Sequence, residues 1–279
     1  MELYQGLCND FIHQSTQNNI SFILSNEFTK YYGYRPSHNE VMSWQNSLKE
    51  LADLLKSVNF TNQGIKLEYF IPLSSLRIDV LLTGINQNQE EQAILVELKQ
   101  WQTSQPSLME NEVKTAVGGG PRDILHPSVQ VDSYKDYLQG FLEVFYRNTG
   151  NIKLDSCVYL HNYVFEVDDP ILDNKFHHYL QSSPIYSKKD KISLADYLHN
   201  MLGNGSGEEV LHKINRSNVS PSKKLLTEAS NIIKNESSYV LLEEQRVVFD
   251  HVMAIVKNGI HNSKKQVLII KGGPGTGKV

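Results

Sequence analysis

Cysteine is scarce in this chain of 279 residues: the two present, Cys8 and Cys157, lie far apart and match no metal-binding spacing. That argues against a disulfide-stapled scaffold or a cysteine metal site and reads as thiols of a reducing compartment. Long apolar runs are missing too. No uncharged apolar stretch approaches the roughly 18 residues that a membrane span needs. The N-terminus, Met1-Glu2-Leu3-Tyr4-Gln5, is neither basic nor followed by an apolar signal core. A cytoplasmic location is expected, with no membrane partner. Positive charge is not in excess either: 27 Lys+Arg against 31 Asp+Glu give a formal net charge of −4. The overall charge gives no sign of a polyanion partner, although a groove can be basic while the rest of a surface is acidic. What is present, 40% hydrophobic and 21% charged residues, is the composition of a globular protein with room for one large domain or two ordinary ones.

Residues 1–36 are aromatic-rich without a clear period and read as one or two short helices. Ser37-His38-Asn39-Glu40 fits a capping box, and Val41, Trp44, Leu48, Leu51, Leu55 and Val58 recur at helical steps, predicting an amphipathic helix from about residue 38 to 57. Three strand-like segments follow, Lys66–Pro72, Leu76–Thr83 and Gln92–Trp101, separated by polar turns. After a polar stretch over 102–127, broken at Gly118-Gly119-Gly120-Pro121, come a helix from about Ser128 to Phe145 and a strand over 156–165. The predicted order is αβββαβ, complete by about residue 166. Beyond it, Ser193–Leu202 reads as a helix, Gly203–Gly207 as a flexible break, Ser220–Ile233 and Leu242–Val256 as containing helices, and Gln266–Ile270 as a short strand.

The chemistry sits on the second and third strands. In Ile94-Leu95-Val96-Glu97-Leu98-Lys99 the period of two puts Glu97 and Lys99 on one face and Val96 and Leu98 on the other. Asp79 lies in an equally apolar setting, and a hairpin of the two strands would bring it to Glu97. Burying such charges is costly without a purpose. Two carboxylates that hold Mg²⁺ or Mn²⁺, with a lysine to orient water or to stabilise developing charge, suit phosphodiester hydrolysis. The plain alternative is ion pairing alone, Glu97 with Lys99 or Asp79 with Arg77. Gln130 and Tyr134, four residues apart, share one face of the following helix. Glu40 fits as the helix-capping residue of Ser37-x-x-Glu40, Glu68 is a spare carboxylate, and His126 and Ser128 either line a groove or start the helix.

A second motif stands at the other end. Gly272-Gly273-Pro274-Gly275-Thr276-Gly277-Lys278 follows an apolar strand, the context of a phosphate-binding Walker A loop, in which Lys278 reaches the β and γ phosphates. Position 279 is Val where that motif has Ser or Thr. The chain stops inside this loop, without the helix it needs, and so reads as a fragment or truncated product of something longer. ATP binding is expected only of such a longer protein.

The Asp79…Glu97-Leu98-Lys99 pattern resembles the PD-(D/E)xK nuclease superfamily, with Ile78 in place of the proline. Gln130 and Tyr134 resemble the Q-x-x-x-Y pair of its RecB-like branch. In that superfamily the acidic residues bind metal, the lysine is catalytic and the Gln/Tyr pair contacts substrate. Glu40 resembles the acidic residue that many relatives carry on the first helix. Leu242-Glu243-Glu244-Gln245-Arg246 resembles the Q motif of superfamily 1 helicases, in which Gln245 would read adenine. Together with Ser43–Leu48, His126-Pro127-Ser128 and Ser220–Leu225, these motifs resemble the bacterial Schlafen group 3-like DNA/RNA helicase family in its nuclease–helicase form. The resemblance implies an α/β restriction-endonuclease-like nuclease domain over 1–166, accessory helices and linker over 167–238, and the start of a helicase domain over 239–279. It implies a Mg²⁺- or Mn²⁺-dependent nuclease acting on DNA and/or RNA, with an anti-phage role in some relatives. Homo-oligomerisation is left open, and a catalytically inactive nucleic-acid-binding module of a helicase is the alternative function.

Overall fold

The computed structural model describes residues 2–74, 76–117, 120–146 and 152–223, with Thr227 and Val252. Gln245, the phosphate loop with Gly272, Gly275, Gly277 and Lys278, the strand over 266–270 and most of the helices expected within 220–233 and 242–256 lie outside the described residues.

The described chain runs β1 (Glu2–Leu7), α1 (Cys8–Thr16), α2 (Ile20–Tyr32), α3 (His38–Ser57), β2 (Gly64–Phe70), β3 (Arg77–Ile85), β4 (Glu91–Lys99), β5 (Gln105–Pro106), β6 (Glu112–Val117), β7 (Gly120–Leu125), α4 (Pro127–Phe141), α5 (Glu143–Tyr146), β8 (Lys153–Leu160), α6 (His177–Ser182), β9 (Ile185–Ser187), α7 (Lys191–Leu202) and α8 (Glu208–Asn215), with short 3₁₀ turns between β8 and α7. Six strands form a mixed sheet in the order β1-β2-β3-β4-β8-β9. The first four pair antiparallel, while β4, β8 and β9 run parallel. The middle strands are apolar on both faces because both faces are covered by helices. On one side Trp44, Leu48, Leu51 and Leu55 of α3 pack with Leu24 of α2 and Leu198 of α7 on Leu67, Val80, Leu82, Ile94 and Val96. On the other, Val131, Tyr134 and Leu138 of α4 and Val210 and Leu211 of α8 pack on Leu81, Ala93, Leu95 and Val158. Among the described residues no helix is long and apolar enough to cross a membrane.

The expected αβββαβ succession is present as α3-β2-β3-β4-α4-β8, with additions that local pattern did not show. Residues 1–36 hold a strand as well as two helices. Glu2 reaches Lys66 at 2.8 Å across the β1–β2 pair, and Asn215 of α8 takes the same ammonium at 2.5 Å. A fully buried lysine needs such partners. The polar stretch over 102–127 is not merely a detour: β5, β6 and β7 make a small antiparallel sheet seated by Val113 and Leu125. The strand expected over 156–165 occupies Lys153–Leu160, where its register on β4 runs from Gln92↔Lys153 to Lys99↔Leu160. Helix α4 stops at Phe141, since Leu142 is extended and bridges Val219. The sheet also continues past residue 166, through β9.

Gly203–Gly207, read from sequence as a flexible break, is an anchored corner. Asn204 donates to Ile85 O at 2.9 Å, Gly207 donates to Asn62 O at 2.8 Å, and Thr83 Oγ1 donates to Gly207 O at 2.8 Å. The glycine is there because two backbones meet, and not for looseness.

Candidate active site

β2 ends, β3 begins, and β4 and β8 end at one end of the sheet, as the pairs Phe70↔Arg77 and Lys99↔Leu160 fix. Asp79, Glu97 and Lys99 all lie there. On β4, Ile94, Val96 and Leu98 face the α3 layer and Ala93 and Leu95 the α4 layer, so Glu97 and Lys99 turn toward α4. The β3–β4 ladder runs as far as Val80↔Val96. One step further, the Leu98 N–H donates at 2.9 Å to Asp79 Oδ2, so the carboxylate takes the place of a ladder carbonyl. Burial pushes the Asp79 carboxyl up, opposed by the Lys99 ammonium, the Leu98 N–H and Arg77.

Lys99 links the rest. Its Nζ lies 2.6 Å from Glu97 Oε1, on a side chain only 2% exposed, and donates at 2.9 Å to Gln130 Oε1. Gln130 Nε2 in turn donates at 2.9 Å to Tyr134 OH. An ammonium can only donate, so the amide must present its oxygen to Lys99 and its nitrogen to the phenol, which fixes its orientation. Tyr134 is 4% exposed and stands behind Gln130, where it supports that side chain. The Glu97–Lys99 pair of the plain alternative therefore forms, whereas Arg77 bonds other partners than Asp79.

Those partners are Glu40 and Glu68. Arg77 donates at 2.7 Å to Glu40 Oε1 and sits 2.5 Å from Glu68 Oε2, while Trp44 Nε1 donates at 2.8 Å to Glu68 Oε1. Ser37 accepts the Glu40 N–H at 3.2 Å, half of a capping box, and the Glu40 carboxylate is spent on Arg77. Glu68, the spare carboxylate of the sequence, is buried in this group. Desolvation, with Asp79 next in weight, pushes its carboxyl up to about 8 against the pull of Arg77 and Trp44. Its backbone is left-handed at φ +53°, costly for a side-chain-bearing residue at about 1–3 kcal/mol. At this point the ribbon turns over. Ile65 and Leu67 pack in the α3 layer but Tyr69 and Ile71 in the α4 layer, and Val80 and Ile78 divide the same way. Glu68 and Asp79 lie at the crossover, bracketed by the pairs Leu67↔Val80 and Tyr69↔Ile78. The available signal was a lone charge inside Lys66-Leu67-Glu68-Tyr69-Phe70.

A neighbouring polar group also went unread. Gln100 Nε2 donates to Ser47 Oγ and to Ser43 O, each at 3.1 Å, and buried His161 places Nε2 3.0 Å from Ser47 Oγ. Only the position of Gln100 directly after Lys99 hinted at it.

His126 and Ser128 start the helix and do not line a groove; both are fully buried. His126 Nδ1 accepts the Ser128 N–H at 3.1 Å, Pro127 fills the first helical position, and Nε2 donates to Ile171 O at 2.9 Å. Desolvation, with Lys175 nearby, lowers its pKa to about 4 against the pull of the Ile171 carbonyl, so it is neutral at pH 7. A depressed histidine contributes stability that is full above its unfolded value of about 6.5 and is lost as pH falls toward 4. His126→Asn keeps a capping acceptor and should be less stable than the natural chain at pH 7. Thermal melts should show the gap closing between pH 6.5 and 4; parallel curves would remove His126 as the cause.

Among the described residues no three His, Cys, Asp or Glu side chains come together in a ready-made metal cluster. The donor chemistry nevertheless suits a hard divalent cation. Asp79 and Glu97 offer carboxylate oxygens on paired strands, and Mg²⁺ commonly takes one or two carboxylates with water and substrate phosphate completing its shell. Glu40 has its carboxylate on Arg77. Compared with protein-family models, with curated proteins and with solved structures, the chain matches none.

Proposed function

We propose that this chain carries a metal-dependent nuclease that hydrolyses phosphodiester bonds of DNA or RNA, of the PD-(D/E)xK type. The observation that carries the reading is one connected set at one sheet end: Asp79 on the Leu98 N–H, and Glu97, Lys99 and Gln130 joined at 2.6 and 2.9 Å. Asp79 and Glu97 would hold Mg²⁺ or Mn²⁺, with Glu68 as an adjoining acidic group. A bound cation supplies Lewis acidity, lowers the pKa of water and neutralises phosphate charge. The chain's own groups do the rest. Lys99 places an ammonium beside Glu97, where it can donate to the attacking water or to a non-bridging phosphate oxygen as charge accumulates. Gln130, oriented by Tyr134, holds that ammonium in place. The Leu98 N–H keeps Asp79 pointed along the sheet end.

In the same reading the segment with Gln245 and Lys278 would belong to a helicase of which this nuclease is the front end, and anti-phage defence is the role it would serve. The test is cleavage of end-labelled DNA and RNA strands with Mg²⁺ or Mn²⁺. Cleavage should vanish in EDTA and return when metal is restored. Binding without cleavage in every metal tried would instead assign the chain as an inactive nucleic-acid-binding module.

A further inference from the structure

At the same end of the sheet as the candidate active site, on the α3 side, lies an aromatic surface that the catalytic set does not use. Tyr31 and Tyr32 close α2, and Tyr34 follows Gly33, whose left-handed φ of +75° ends the helix. The three tyrosines are 46%, 38% and 60% exposed in chain order. Their rings form one set: Tyr31 lies 4.7 Å from both Tyr32 and Phe70, and Tyr32 lies 5.5 Å from Tyr34, centroid to centroid. Single exposed rings are ordinary, whereas a contiguous group in solvent marks an interaction surface. It is fixed from beneath by buried Phe28, 4.4 Å from Tyr32 and 6.1 Å from Trp44.

Place and charge say what it meets. Phe70, the ring under Tyr31, is the cross-strand partner of Arg77. Asp79 comes two residues later, about 7 Å along a strand. Arg35, the residue after Tyr34, is exposed and supplies a positive charge for phosphate. In a duplex the base faces are covered by their neighbours; only unpaired bases offer them to aromatic side chains.

We propose that Tyr31, Tyr32 and Tyr34 form a stacking platform for the unpaired bases of a single-stranded nucleic acid, which leads its backbone to the Asp79–Glu97–Lys99 centre. The substrate class is thus a single strand or the unpaired part of a longer nucleic acid, and it rests on the nuclease reading of that centre. Stacking is indifferent to the sugar, so DNA and RNA strands share this chemistry.

The experiment is fluorescence anisotropy with a short labelled single strand of DNA, its RNA counterpart and the matching duplex, at fixed salt in EDTA so that nothing is cut. Tyr31→Ala/Tyr34→Ala should weaken single-strand binding about tenfold or more and leave duplex binding unchanged. Tyr31→Phe/Tyr34→Phe keeps the rings and should bind as the natural chain does. A preference for one sugar supports the platform and names its substrate. Four results would overturn it: no single-strand binding by the natural chain, unchanged affinity in the alanine variant, equal loss on the duplex, or a dimer that the alanine variant dissolves while its affinity stays. Because binding is read without metal, ring-dependent binding without cleavage under any metal sinks the nuclease reading alone. Cleavage with ring-independent binding sinks the platform alone.

Discussion

Replacing Lys99 by alanine should slow strand cleavage about a hundred- to a thousandfold, the usual cost of removing one group that meets developing charge. The Mg²⁺ concentration needed for half-maximal rate should stay in place. Asp79→Ala should behave differently: its rate loss comes with weaker metal affinity, so the half-saturating Mg²⁺ rises and high Mg²⁺ or Mn²⁺ recovers part of the rate. Stability must be separated from chemistry. Glu97 is 2% exposed and pairs with Lys99 at 2.6 Å, so deleting the ammonium leaves a buried carboxylate poorly compensated, at a cost of about 3–5 kcal/mol. Lys99→Arg returns a positive charge to Glu97 but replaces a compact ammonium with a planar fork. It should melt near the natural chain and still cleave poorly. If both alanine variants cleave at the natural rate while folded, the carboxylates and lysine are a structural ion-pair group and the nuclease assignment falls.

The parts of this arrangement that sequence made legible are those governed by local period. Alternation along Ile94–Lys99 puts Glu97 and Lys99 on one face, and the four-residue step from Gln130 to Tyr134 puts both on one face of their helix; the structure joins these four through Lys99 and Gln130. What stayed hidden depends on distant partners. Glu68 becomes an acidic neighbour of Asp79 only because the backbone turns left-handed at φ +53°, which no period announces. Glu40 gave a capping-box signal that is half true, because a half-buried guanidinium 37 positions away claims its carboxylate. β1 carries little alternation of its own and is held by pairing with β2 and by Glu2 on Lys66. The β8 boundary erred for the same reason. Lys153-Leu154-Asp155-Ser156 looks too polar for a strand until β4 supplies the adjoining parallel ladder.

Gly207→Ala should be among the most damaging single substitutions to stability, although it lies at the sheet end opposite Asp79. A Cβ at position 207 would stand 2.1 Å from Thr83 O and 2.2 Å from Gly64 N. Both obstacles are backbone atoms of the central strands β2 and β3, so no rotamer change relieves the clash. Gly64 leaves no spare room either, since a Cβ there would meet Thr83 Oγ1 at 2.3 Å and Leu211 at 2.5 Å. The start of α8 would have to lift, stretching the Gly207 N–H bond to Asn62 O, the Thr83 Oγ1 bond to Gly207 O and the packing of buried Val210 and Leu211. Overpacking against atoms that cannot yield stands at the upper end of its usual range, about 3 kcal/mol. For a chain of this size that lowers the melting temperature by roughly 6–12 °C. Cleavage per folded molecule should stay within about twofold, because the strands remain paired between this corner and Glu68, Asp79 and Glu97. A variant that melts like the natural chain would mean that α8 seats loosely and that Gly203–Gly207 is a flexible break after all. One that keeps its melting temperature but loses cleavage would instead join this corner to the site at the other end of β2 and β3.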